Sequence, residues 1–125
     1  MTGTLAGERR FRADRAEIAR ARRFAVAAAE VEGDAADDLA LVTSELATNA
    51  VLHATGDFVV RVHVTGGAVR VSVFDADPEP PVLRRSAITD PDGRGVAIVS
   101  SVAADWGVRP EGDGKWVWAE ITIPA

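Results

Sequence analysis

The chain predicts an α+β two-layer sandwich, with helices packed on one face of a mixed, mostly antiparallel sheet. Three observations carry that expectation. Two N-terminal segments repeat apolar residues at helical spacing, three later segments alternate apolar with polar residues, and glycine-bearing turns join strands that are neighbours in sequence.

Asp14-Arg15-Ala16-Glu17 resembles a capping box with Asp in place of Ser, and it opens an alanine-rich helix that runs to about Glu30. Gly33-Asp34 breaks that helix. A second is expected from about Ala35 to Ala54, ended by Thr55-Gly56-Asp57. Phe58 to Thr65 and Ala68 to Phe74 then alternate, with Val60, Val62, Val64 and Val69, Val71, Val73 on one face and Arg61, His63, Arg70, Ser72 on the other. Gly66-Gly67 turns them into a hairpin. From Asp75 to Asp92 the pattern dissolves around Pro78, Pro80, Pro81 and Pro91, which marks a long loop. An apolar helix from Val96 to about Ala104 and a short strand near Trp106 to Arg109 follow. Glu111-Gly-Asp-Gly114 turns the chain into a last strand, Lys115 to Ile123, which sets Val117, Ala119, Ile121 and Ile123 against Trp116, Trp118, Glu120 and Thr122.

With 125 residues, 47% of them hydrophobic, the chain has the size of one ordinary domain and can bury a core without metal or disulfides. A single domain over residues 1–125 is expected, with residues 1–10 a flexible N-terminal extension. Cysteine is absent, which removes disulfides, thiolate zinc sites and a thiol nucleophile, and is compatible with a reducing cytoplasm. The start has no apolar signal-like region, and no run approaches the roughly 18 apolar residues of a bilayer span. A soluble, cytoplasmic protein without membrane attachment is therefore expected. A net charge of −5 argues against nucleic acid as a direct partner, because phosphate backbones demand concentrated positive charge. The one basic stretch, Arg15 to Arg23, interleaves its arginines with Ala16, Ile18, Ala19 and Ala21, and reads as a solvated or partner-facing helix surface.

The chemistry concentrates elsewhere. Glu45, Asn49 and His53 are spaced four apart on the second helix, so each step drifts only about 40° and the three side chains form a polar stripe beside Leu39, Leu46 and Ala50. Nucleoside triphosphate chemistry is mostly positioning and charge neutralisation, and each required group has a candidate. Asn49 offers a neutral oxygen suited to a hydrated Mg²⁺. Glu45 could accept or orient a proton. Gly93-Arg94-Gly95, just before a helix, could present N–H groups to phosphate. Asp75, where a strand enters the long loop, could accept a hydrogen bond from an adenine amino group. Read singly, these features are also explained by a solvated helix edge, a helix cap and a turn.

Taken in order, Glu45-x-x-x-Asn49, Asp75 after a strand, and Gly93-x-Gly95 opening a helix resemble the N, G1 and G2 boxes of the Bergerat-fold ATPases, the superfamily of gyrase, Hsp90, MutL and the histidine kinases. The likeness runs from about Phe11 to Ile123. It is greatest to the stand-alone anti-sigma-factor serine/threonine kinases of actinobacterial type, to which Ala21-Arg-Arg-Phe24, Val42-Thr-Ser-Glu-Leu-Ala-Thr-Asn49 and Asp105-Trp-Gly-Val108 are similar. The resemblance implies ATP and Mg²⁺ as cofactors, with Asn49 on the metal, Glu45 as base, Asp75 reading adenine, and Gly93, Arg94 and Gly95 at the phosphates. His53 is implied as a phosphate-side contact, with a helix-end surface histidine as its alternative. The implied function is a serine/threonine kinase that works by partner switching, with a sigma factor and its antagonist protein as partners. Homodimerisation is suggested by the resemblance alone.

The chain departs from the pattern at Asp77, where the family usually has glycine, and at Gly114-Lys115-Trp116, where many relatives have Gly-Thr. These departures support the alternative of a non-catalytic or weakly active binding module that regulates a protein partner. Trp106, Trp116 and Trp118 read as core or sheet-face packing, or as a protein interface, and His63 as a surface strand residue.

Overall fold

The computed structural model describes residues 3–53, 56–76 and 102–123. Its elements run β1 (Thr4–Phe11), α1 (Ala16–Ala29), α2 (Gly33–His53), β2 (Phe58–Val64), β3 (Ala68–Asp75), β4 (Asp105–Glu111) and β5 (Gly114–Thr122). The strands form one five-stranded sheet in the order β1-β2-β3-β5-β4, and every pairing in it is antiparallel. The expected helix Val96–Ala104 falls almost wholly outside the described residues, as does the loop before it.

Strand β1 corrects the expected flexible extension at residues 4–10. Its side chains are nearly all exposed, so it carries no alternating signal, and Glu8, Arg9 and Arg10 are the charges that protect an edge strand from pairing with another chain. What orders it is backbone pairing with β2 from Thr4↔Val64 to Phe11↔Phe58, interrupted by a bulge between Leu5 and Gly7. Phe11 anchors the end of β1 by stacking on Phe58 at 5.4 Å and meeting Phe24 of α1 edge-on at 5.9 Å.

Helix α1 begins near the expected box, but only half of the box forms. Asp14 Oδ1 accepts the Ala16 N–H at 2.9 Å, while the Glu17 side chain pairs with Arg20 at 3.0 Å. Glu30 ends the helix in the left-handed conformation, with its N–H on the Val26 and Ala27 carbonyls. Ala21, Ala25 and Ala29, one turn apart, let the backbone of α1 approach its neighbours closely. Arg22 crosses to α2, donating to Ser44 Oγ at 3.1 Å, and that hydroxyl donates to the Ala40 carbonyl.

Both helices cover one sheet face. Leu39, Val42, Leu46 and Ala50 of α2 share a single core with Val60 and Val62 of β2, Val69, Val71 and Val73 of β3, and Val117, Ala119 and Ile121 of β5. These are the strand positions that alternation assigned to one face. Burying each of the larger side chains contributes about 1.5–3 kcal/mol. The opposite face has no helix among the described residues, and carries Arg61, His63, Arg70, Ser72, Trp116 and Trp118.

Candidate functional site

Helix α2 supplies the first part of the candidate site. Glu45 and Asn49 are half-buried and His53 is exposed at the last turn, while the neighbouring positions Leu39, Leu46 and Ala50 are sealed in the core. The polar stripe therefore borders the buried stripe. His53 stands where the negative end of the helix dipole favours a basic residue, and its exposure suits a helix-end surface histidine.

Strand β3 supplies the second part. Asp75 continues the series Val69, Val71, Val73, so alternation places it on the helix-covered face, at the end of the strand. Helix α2 packs on β3 and β5, so Glu45, Asn49 and Asp75 belong to elements that meet at one layer interface. Gly93, Arg94 and Gly95 lie outside the described residues, as does Asp77.

One partner of Asp75 was not foreseen. Register places Lys115 of β5 directly opposite Asp75, and Lys115 Nζ donates to Asp75 Oδ1 at 2.9 Å with both side chains buried, the aspartate 2% and the lysine 4% exposed. Antiparallel neighbours directly opposite each other project to the same face, so the two charges are brought together by strand geometry alone. The turn before Lys115 enforces the approach: Gly112 adopts φ 58°, and a Cβ on Gly114 would lie 2.6 Å from Phe74 Cζ and strike the Asp75 carbonyl oxygen. The available signal was Lys115 itself, a lysine at an inward position of the last strand, where a charge survives only if paired.

Residues 11–121 match the family model of the histidine kinase-like ATPase domain. The chain belongs to that family. A histidine kinase-like ATPase domain binds ATP, commonly with Mg²⁺, and the residues fit that requirement in part. An amide oxygen on a half-buried Asn49 suits Mg²⁺ when phosphates and water complete its shell, and Glu45 stands one turn away. Asp75, by contrast, is deeply buried and already engaged by Lys115. An uncharacterized protein of Streptomyces coelicolor is 45% identical over 56 residues, which cover 43% of this chain and 53% of that protein. The chain thus spans about half the length of this curated relative. No helix among the described residues is long and apolar enough to cross a membrane.

Proposed function

We propose that this histidine kinase-like ATPase domain is an ATP-dependent serine/threonine kinase that regulates transcription by partner switching, holding a sigma factor and phosphorylating its antagonist. The observation that carries the reading is the placement of Glu45 and Asn49 one turn apart on the half-buried edge of α2, on the layer interface that also holds Asp75. Asn49 would hold Mg²⁺, whose charge offsets that of the phosphates. Glu45 takes the proton of the attacking side-chain hydroxyl. As that oxygen bonds to the terminal phosphorus, the bond from phosphorus to the bridging oxygen breaks and ADP leaves. Asp75 accepts from the adenine amino group, and Lys115 beside it offers a donor to the adjacent ring nitrogen, in place of the hydroxyl many relatives carry.

Labelled ATP incubated with the full chain and candidate antagonist domains tests the transfer. Phosphate should appear on a serine or threonine of the antagonist, and Glu45→Ala should lower the rate by about 10²–10⁴-fold. Absence of transfer to every antagonist tried, with Glu45→Ala matching wild type, would sink the kinase reading.

The burial of the Asp75–Lys115 pair favours a second reading, a binding module whose base pocket is closed by its own lysine. Calorimetry with ATP and Mg²⁺ separates the two. If Lys115 reads the base, Lys115→Thr weakens binding or leaves it near wild type; if Lys115 seals the pocket, the same change creates or strengthens binding.

A further inference from the structure

On the sheet face opposite the helices the described residues form a concavity of about 340 Å³ that the nucleotide reading does not use. Strand register builds it. Arg61 lies opposite Ser72, Ser72 opposite Trp118 and Trp118 opposite Gly107, while in the next row Trp116 lies opposite Arg109. The Arg61 guanidinium covers the Trp116 ring at 4.2 Å and that of Arg70 covers Trp118 at 3.9 Å. Trp118 in turn lies over Gly107, where a Cβ would come within 2.8 Å of the ring.

Each stacked arginine is also held by a carboxylate. Arg61 Nε donates to Glu8, and Arg70 donates from Nε and Nη2 to Glu120 Oε2 at 3.0 and 2.8 Å. A guanidinium has five N–H donors, so one carboxylate contact leaves several on each arginine still to be satisfied. Arg109 at the rim is exposed and meets Glu111 only at 3.6 Å.

The decisive feature is a pair of buried nitrogens. Trp116 is only 4% exposed, and among the described residues its indole Nε1 has no hydrogen-bond partner; neither has the buried Nδ1 of His63. Buried polar atoms in folded proteins are nearly always paired, and an indole N–H can only donate. The walls of the concavity thus combine the cationic Arg61, Arg70 and Arg109 with a neutral, unpaired indole donor, and what this set lacks is an acceptor. Burial and the nearby Arg61 and Arg70 hold His63 below its ordinary pKa against the opposing pull of Glu8, as a cationic surrounding should.

We propose that this concavity binds a small oxyanion ligand, a phosphate or a carboxylate, gripped by Arg61, Arg109 and the indole N–H of Trp116. Stacking on Trp116 and the Glu8 contact hold the Arg61 guanidinium before the ligand arrives, so little of its side-chain entropy is lost on binding. The site lies on the sheet face opposite the helices, so it stands or falls independently of the ATP reading.

Tryptophan emission of the full chain tests it, titrated at constant ionic strength with inorganic phosphate and, separately, with succinate. A saturable change is expected with at least one anion, accompanied by a rise in the pKa of His63 followed by NMR, because a neighbouring anion favours the imidazolium. Arg61→Gln and Arg109→Gln should each weaken binding by about ten-fold, with circular dichroism showing the fold retained. Arg109 is exposed, so its variant keeps the test sound if the Arg61 variant unfolds. A response to phosphate alone assigns a phosphorylated ligand, and a response to succinate alone a carboxylate. The proposal is overturned if neither anion saturates, if both variants respond as wild type does, or if ATP competes for the same signal.

Discussion

The two faces of the β3–β5 pair carry ion pairs built by the same register rule, and water makes them different. On the helix-covered face Lys115 and Asp75 meet out of solvent, with side-chain exposures of 5% and 3%. On the open face Arg70 and Glu120, also register partners, meet with exposures of 24% and 30% and a tryptophan beneath the guanidinium. Desolvation makes the first pair costly to break, whereas solvent screening makes the second weak. A charge pair in this fold is thus a structural commitment on the helix-covered face and an adjustable surface on the other side.

The comparison breaks first at Lys115. Lys115→Met should strand a buried carboxylate and destabilise the fold by about 3–5 kcal/mol in urea unfolding, while the double change with Asp75→Asn or Asp75→Leu should recover much of that loss. A loss below about 1 kcal/mol for Lys115→Met would place the pair in the same class as the surface pairs.

A smaller effect is expected from two glycines, Gly114 beside the buried pair and Gly107 beneath Trp118. At Gly114 an added Cβ meets the Asp75 carbonyl, a backbone atom that cannot step aside, whereas at Gly107 it meets the half-buried Trp118 ring, which can swing outward. Gly114→Ala should cost about 1–3 kcal/mol, and Gly107→Ala measurably less. Gly107→Ala should also shift tryptophan emission to the red as the Trp118 ring moves into water, and an unshifted spectrum would deny that the ring yields.

Legibility followed the same division. The strands that bury one face could be read residue by residue, because Val60, Val62, Val69, Val71, Val73, Val117, Ala119 and Ile121 alternate strictly, and α2 showed both its buried and its polar stripe. Strand β1 was not legible, since an edge strand held by main-chain hydrogen bonds leaves no side-chain pattern. Glu45, Asn49 and Asp75 were legible as types and spacings, but the pairing of Asp75 with Lys115 was not, because it depends on which residues of strands forty positions apart fall opposite each other. The Arg61–Trp116 and Arg70–Trp118 stacks were hidden for the same reason: each arginine and tryptophan could be assigned to the outward face, but not to a partner.

Below the glycines comes the open-face pair itself. Arg70→Gln removes the Glu120 contact and the stack on Trp118, both partly solvated, and should cost about 1–2 kcal/mol in sum by urea unfolding. Raising the salt concentration should narrow the difference between wild type and variant for this pair and leave the Lys115→Met difference almost unchanged. Equal salt sensitivity at both sites would erase the distinction between the faces.

The smallest effect is the pH response of His63. Its pKa lies below the ordinary 6.5, first through burial and then through Arg61 and Arg70, with Glu8 opposing. An unfolded chain exposes this imidazole and takes up a proton near 6.5, whereas the folded chain resists until a lower pH. Between those two values the unfolded state holds more protons, so acidification favours unfolding. The contribution of His63 is fully present above 6.5 and is lost as pH falls through the folded value. Urea unfolding followed from about pH 7 down to about 5.5 should therefore show wild type losing stability faster than His63→Gln, before carboxylates begin to titrate. The direction also reports on the open-face site. A bound oxyanion would raise the folded pKa of His63, so saturating phosphate or succinate should flatten the wild-type slope toward that of the variant, whereas chloride at the same ionic strength should not.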